Sequence, residues 1–199
     1  MLINYLQELE KIANENGGII QSKVAEEHGI SKAMLHKLYC KNNISRLAKG
    51  QYILTNDVPD ELYSISIRSE KFIFSHETAL FLHGLSDRTP FVHSITAPSG
   101  SIPSHSIKTL CKVYYIKEEL LFLGKIVCKT PYGNDVPCYD LERTICDIVR
   151  SRNKLGVETF ISALKQYALS PNKDLNRLDV YSKSFNVSKI IRNYLEVLL

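Results

Sequence analysis

Apolar positions in the N-terminal segment recur at spacings of three and four: Ile3, Leu6, Leu9, Ile12 and Ala13. This is the stripe of an amphipathic helix, and Asn16-Gly17-Gly18 ends it with residues that tolerate positive φ. After the short apolar stretch Gly18-Ile19-Ile20, Ser22 offers a hydroxyl to cap a second helix over Lys23-Val24-Ala25-Glu26-Glu27-His28. Glu26 and Glu27 come too late for its first turn and face solvent. Gly29 breaks the helix, Ile30 follows as an apolar plug, and Ser31 caps a third helix from Lys32 to about Asn42. Ile44-Ser45-Arg46-Leu47-Ala48 and Gln51-Tyr52-Ile53-Leu54 then flank Lys49-Gly50, the pattern of a β-hairpin with glycine at its tip.

Four of these positions belong together. Where two short helices cross closely, the first needs a small residue at the crossing and the turn needs a residue permitting positive φ four positions later. The second helix needs apolar residues six and nine after the turn, and Ala25, Gly29, Leu35 and Leu38 meet all of these demands. Helix, turn, helix and basic hairpin in this order predict a winged helix-turn-helix over residues 1–57. At about 100° per residue, Met34, Leu35, Leu38 and Tyr39 share one arc of the third helix. Lys32, Ala33, His36, Lys37, Cys40 and Lys41 share the opposite, presented arc.

Asn56-Asp57-Val58-Pro59-Asp60 is a cluster of turn formers after a complete unit, so the boundary to a second domain, residues 58–199, is placed there. Beyond it, 60–70 reads as a helix, Phe72-Ile73-Phe74 as a buried strand, and Ser75 as the cap of a helix that carries Ala79, Leu80 and Leu82 and stops at Gly84. Residues 92–97, 112–116, 125–130 and 136–139 read as strands, and 98–104 as a loop. From about residue 140 the chain is nearly all helical, with stripes such as Leu141, Ile145, Ile148 and Val149, then Phe160, Ile161 and Leu164. The predicted class is α+β: the winged helix-turn-helix, then a mixed α/β domain with a small sheet to about residue 139 and a helical C-terminal part.

Composition narrows the function classes. With 199 residues and 44% apolar side chains the chain can bury a core without staples. No apolar run approaches the roughly 20 residues of a membrane span, and the N-terminus lacks the pattern of a signal peptide, so a cytoplasmic protein with no membrane partner is expected. The five cysteines, Cys40, Cys111, Cys128, Cys138 and Cys146, are odd in number and irregularly spaced; they read as reduced thiols filling small core spaces rather than as disulfides or a zinc knuckle. The net charge of +4 says little, but its distribution says more. Between His28 and Asn56 there is no acidic residue, while Lys32, Lys37, Lys41, Arg46 and Lys49 give that stretch a local charge of +5. Ser31, Lys32, Ala33, His36, Lys37, Lys41, Arg46 and Lys49 are therefore the predicted DNA-binding residues, with the hairpin cations aimed at phosphate or minor groove.

No catalytic function is expected: there is no Gly-rich phosphate loop, no Gly-x-Ser-x-Gly and no His-Glu-x-x-His. The nearest approach to a metal nuclease is Asp135, Asp140, Glu142 and Asp147, but Glu142 and Asp147 near Arg143 fit a structural ion pair more simply. His76 and His83 lie seven apart on one helix face and are read as a cap-proximal polar residue and a half-buried one rather than as metal ligands. No cofactor and no metal is expected.

Three stretches together resemble the AbiEi antitoxins of bacterial abortive-infection, type IV toxin–antitoxin systems. They are Gly18 to Tyr52 with its Ala-Lys-Gly-Gln-Tyr hairpin, Ser75-His76-Glu77-Thr78-Ala79-Leu80-Phe81-Leu82-His83-Gly84-Leu85-Ser86-Asp87, and Tyr139-Asp140-Leu141-Glu142-Arg143-Thr144-Ile145-Cys146-Asp147. The resemblance implies a repressor that binds inverted repeats in its own promoter, two copies acting cooperatively. It also implies a C-terminal domain that counteracts a nucleotidyltransferase-like toxin without a stable complex. The family wing is richer in arginine; here Lys49 stands in, which favours phosphate contact over bidentate base reading. Arg143 keeps two readings, an ion pair with Asp147 or part of an antitoxin surface. The alternative to the antitoxin is a winged-helix regulator whose C-terminal domain senses a ligand.

Overall fold

The computed structural model describes residues 2–86 and 88–198; Met1, Asp87 and Leu199, with the side chains of Leu2, Ile3 and Val197, lie outside it. The Ile3 side chain of the first stripe and the Asp87 end of the second motif thus lie outside what is described. The chain is a mixed α+β protein that, among the described residues, forms ten α-helices and two small sheets. It divides into two units, residues 1–68 with 130–134, and residues 69–129 with 135–199.

In the first unit α1 (Leu2–Glu15) buries Leu9, Ile12 and Ala13 and ends before Gly17 and Gly18, both at positive φ. α2 (Ser22–Glu27) and α3 (Lys32–Cys40) follow, joined through Gly29 at φ +77. A Cβ on Gly29 would meet nothing within 4 Å, so glycine is required there for its backbone and not for space. Ala25, Leu35 and Leu38 are fully buried with Ile20, Ile30 and Ile44, as the crossing demands. Ser31 caps α3, accepting from the Met34 amide at 3.2 Å. Ser22 does not cap α2: it is the first helical residue, and its amide donates to Gly50 O at 2.8 Å. β2 (Ile44–Ala48) and β3 (Gln51–Leu54) form an antiparallel hairpin with a register shift between Arg46 and Ala48, and β1 (Ile20–Gln21) pairs with the other edge of β3.

The boundary expected after Asp57 falls inside this unit. The turn cluster there ends in Asp60, which caps α4 (Glu61–Ser66) by accepting from the Tyr63 amide at 3.1 Å. The side chain of Gln51, buried on β3, is satisfied by this helix: its amide donates to Ser64 O and it accepts from Ser64 Oγ at 2.7 Å. Asp60 also accepts from Thr130 Oγ1 at 2.6 Å and Asn134 Nδ2 at 2.8 Å, which ties residues 130–134 to the same unit.

The second unit is built on a five-stranded mixed sheet. Its strands are β4 (Ile73–Phe74), β5 (His93–Pro98), β6 (Cys111–Ile116), β7 (Lys125–Lys129) and β8 (Asp135–Tyr139), in the order β6-β5-β4-β8-β7. β4 runs parallel to β8 and antiparallel to β5, β5 parallel to β6, and β7 and β8 form an antiparallel hairpin. α5 (His76–Leu82) follows β4, and the short α6 (His105–Leu110), which the apolar pattern does not reveal, leads into β6. α7 (Leu141–Arg150) is buried on every side from Leu141 to Val149 rather than along one stripe. α8 (Val157–Leu169), α9 (Leu175–Ser184) and α10 (Ser188–Leu198) complete the core through Phe160, Leu164, Tyr167, Leu178, Ile191 and Leu195.

Gly124, in the turn before β7, combines both glycine requirements. Its φ is +76, and an added Cβ would lie 2.7 Å from Arg143 Cβ and 3.2 Å from Asp140 Oδ1. Gly100 has a similar φ of +86 with open space around it. Gly100→Ala is expected to cost only the left-handed backbone penalty of roughly 1–2 kcal/mol, and Gly124→Ala clearly more. Denaturant unfolding of the two variants checks this; equal costs would mean that the Gly124 contact is not tight.

Candidate functional site

The presented arc of α3 is open to solvent. Ser31, Lys32, Ala33, His36, Lys37, Cys40 and Lys41 are all exposed, and so are Arg46 and Lys49 on the hairpin. The buried arc holds Leu35 and Leu38 at full burial and Met34 half-buried. Tyr39, placed on the buried arc by its angle, is instead 43% exposed, because the helix ends one residue later and leaves nothing to cover it. Lys32 pairs with Glu26 across the turn at 3.3 Å, both ends well exposed, so solvent screens the pair and leaves the lysine available. Arg46 donates Nε to Ala48 O at 3.3 Å, which holds its guanidinium along the hairpin. No ion pair engages Lys37, Lys41 or Lys49 among the described residues. Two signals missed by pattern reading join this surface: the Tyr39 ring, and a Cys40 Sγ contact to His36 Nε2 at 3.6 Å.

In the second unit Arg143 is fully buried, and the antitoxin-surface reading of this residue is corrected: a side chain at 0% exposure presents nothing to a partner. Its Nε donates to Asp147 Oδ2 at 3.0 Å, and its Nη1 donates to Leu120 O at 2.8 Å and Leu123 O at 2.7 Å. Its guanidinium carbon lies 4.0 Å from the Tyr139 ring centroid and 4.1 Å from that of Phe185. Arg150 Nη2 approaches the other Asp147 oxygen at 3.3 Å. Glu142 does not join this pair; it accepts from Tyr167 Oη and from the Asp174 amide. Asp140 caps α7, accepting from the Arg143 amide at 2.8 Å, and the exposed Asp135 pairs with Lys129. The four carboxylates weighed as a nuclease cluster are thus each committed to different partners.

His76 is fully buried at φ +48, an unusual backbone for a non-glycine residue. Its ring stacks on Tyr114 with centroids 3.5 Å apart, Nδ1 bonds Ser75 Oγ and Nε2 bonds Ser151 Oγ, each at 2.9 Å. Ser75 spends its hydroxyl on this network, accepting from Thr96 Oγ1, and makes no cap bond to α5. Burial, then the nearby charges of Arg150, Lys112 and Arg143, push the His76 pKa well below the usual histidine value, so the imidazole is neutral. A buried, hydrogen-bonded, neutral imidazole of this kind is a structural element of the core.

His83, at the C-terminal end of α5, engages other groups: its Nε2 bonds Tyr139 O at 2.8 Å. The side-chain donor atoms of His83, Cys128 and Cys138 all lie within 4.8 Å of one another. The sequence reading expected no metal ligands and treated both cysteines as core filler. The structure brings them together because Cys128 opposes Val136 and Cys138 opposes Ile126, so the two thiols sit one diagonal step apart on the same face of the β7–β8 hairpin.

Neither a family model nor a curated protein matches this sequence. Among solved structures, the fold is similar to that of the RV2827C protein from Mycobacterium tuberculosis, with a TM-score of 0.68 over 96% of this chain and 77% of that one, at 12% sequence identity. The likeness at that identity is one of fold. No helix among the described residues is long and apolar enough to cross a membrane.

Two expectations follow from the buried charges. Arg143→Ala leaves Asp147 without its 3.0 Å partner in the interior and two carbonyls without a donor, so it should lower stability by about 3–5 kcal/mol. Arg143→Lys should recover only part of this, since an ammonium cannot make the planar stack and fork. A parent-like unfolding midpoint for Arg143→Ala would show that the pair carries no structural load. His76 refuses a proton that the unfolded chain accepts below about pH 6.5, so its contribution is complete above that pH and is lost on acidification. The slope is about 1.4 kcal/mol per pH unit per proton, and His76→Asn, which tolerates the same φ, should flatten it by that amount below about pH 6.5. Denaturant titrations across a pH series read the difference, and an unchanged slope would place the acid sensitivity elsewhere.

Proposed function

We propose that the first unit is a winged helix-turn-helix that binds duplex DNA, with α3 as the recognition helix and the β2–β3 hairpin as the wing. The observation that carries this reading is the acid-free stretch between His28 and Asn56, whose five cations Lys32, Lys37, Lys41, Arg46 and Lys49 are all exposed on α3, the turn after it and the hairpin. Ala33 and Ser31 keep the start of the helix slim enough to approach base edges, while the lysines and Arg46 meet phosphates. The exposed Tyr39, at the side of the same helix, offers a hydroxyl as a further phosphate donor.

On the sequence resemblance, the chain acts as an AbiEi-type repressor-antitoxin that binds inverted repeats upstream of its own operon and counteracts a nucleotidyltransferase-like toxin. Two of the three resembling stretches fall in the second unit, where His83 of one bonds the Tyr139 carbonyl of the other. The antitoxin surface is sought among exposed residues of that unit, since Arg143 is interior.

If four of the cations neutralise phosphates, log affinity for the upstream promoter duplex falls with log salt at a slope of roughly −3 to −4 per protomer. Lys37→Ala or Arg46→Ala lowers that slope by about one unit each without changing the fold. Gel-shift or anisotropy titrations at several salt concentrations measure it; a salt-independent affinity, or none for that duplex, rules out the DNA reading. Co-expression with a nucleotidyltransferase-like gene from the neighbouring reading frame tests the second part separately: the full chain is expected to restore growth, and the absence of such a gene counts against this part.

A further inference from the structure

We propose that His83, Cys128 and Cys138 form a binding site for a thiophilic divalent cation of the zinc type. Two thiolates and one imidazole are the donor set such borderline-soft ions prefer over the hard cations, which take oxygen. The three donors sit on structured elements, the end of α5 and the paired strands β7 and β8, rather than on loops. Zn–S distances of about 2.3 Å and a Zn–N distance of about 2.0 Å in a tetrahedron place ligand atoms roughly 3.5–3.8 Å apart, so donors already within 4.8 Å need close by only about 1 Å.

The surroundings match such a site in two further respects. His83 donates Nε2–H to the carbonyl of Tyr139, the residue next to Cys138, which fixes the ring and its tautomer and leaves Nδ1 as the lone-pair nitrogen. A backbone carbonyl in that role is the usual outer partner of a metal-bound histidine. His83 and Cys128 are half-exposed while Cys138 is fully buried, so an ion has a way in and an anchored inner ligand. On binding, two S–H bonds are replaced by two S–metal bonds, two protons leave to solvent, and the two thiolates neutralise the ion's charge. The group comprises three ligands, so the fourth tetrahedral position falls to water or an external donor.

The test uses the full-length chain, reduced and stripped of metal, titrated with Co²⁺ as the spectroscopic probe and then with Zn²⁺. The expected result is sulfur-to-cobalt charge-transfer absorption that saturates at one ion per chain, is displaced by Zn²⁺ and accompanies release of two protons. Cys128→Ser and His83→Gln, both at half-exposed positions, should weaken binding at least about tenfold, and Cys128→Ser should also lose charge-transfer intensity. Cys40, exposed on α3 and 3.6 Å from His36, is the competing thiol, and Cys40→Ser should leave the signal unchanged. The proposal is overturned if the parent shows no charge-transfer band, if the band survives Cys128→Ser at full strength, or if Cys40→Ser abolishes it.

Discussion

The guanidinium of Arg143 sits where no water reaches it, and the groups around it come from its own helix and from several other stretches of the second unit. Asp147 lies one turn along the same helix, the Leu120 and Leu123 carbonyls belong to the segment before β7, Tyr139 ends β8 and Phe185 follows α9. A buried charge is costly unless it is paired, and here Nε and Nη1 are bonded while Nη2 has no hydrogen-bond partner among the described residues, so these stretches must be in place together or the arginine is a liability. The constraint reaches outward: Gly124 has no side chain because the Arg143 stem occupies that space, and the Gly124 carbonyl accepts from the Asp140 amide at 2.7 Å at the start of the same helix. The helix that carries Arg143 is surrounded on all sides; on it, Glu142 accepts from Tyr167 and the Asp174 amide, and Asp147 is paired with Arg143 and Arg150.

The first unit obeys a different constraint. Its core is apolar and small, and the α2–α3 turn depends on one residue, Gly29, whose positive φ no neighbouring atom enforces. Since Leu35 and Leu38, with the half-buried Met34, take the inner arc of α3, the cations are left outside with little to pair with, and among the described residues Glu26 is the acid that pairs with one of them, Lys32. A largely unpaired cationic face is suited to a polyanion, and charge placement, more than net charge, is the ground of the nucleic-acid proposal. The polar joint of Gln51 with Ser64, and of Asp60 with Thr130 and Asn134, extends this unit beyond its hairpin by side-chain hydrogen bonds alone.

The two units place their chemistry differently. In the first, the groups that can meet a partner lie on the surface of one helix and one hairpin. In the second, most of the polar chemistry is inward: His76 between two serine hydroxyls, Glu142 beneath Tyr167, Arg143 with Asp147. The His83, Cys128 and Cys138 group is the exception, since it combines a buried anchor with two half-exposed donors.

The sequence by itself determined whatever depends on neighbours along the chain. The stripe of α1, the Ala25, Gly29, Leu35 and Leu38 spacing, the Ser31 cap, the hairpin around Gly50 and the exposed cationic arc were all readable, because helix angle, capping and turn chemistry act within a few residues. The Arg143 to Asp147 pair was readable for the same reason, being one helical turn. Only the tertiary structure decided what depends on remote partners. That Arg143 is interior, that α7 is covered on every side, and that α4 and residues 130–134 belong with the first unit follow from contacts across tens of residues. Cys128 and Cys138 look like unrelated core thiols until the β7–β8 register sets them on one face beside His83, and register is a property of two strands together, with no signature in either one.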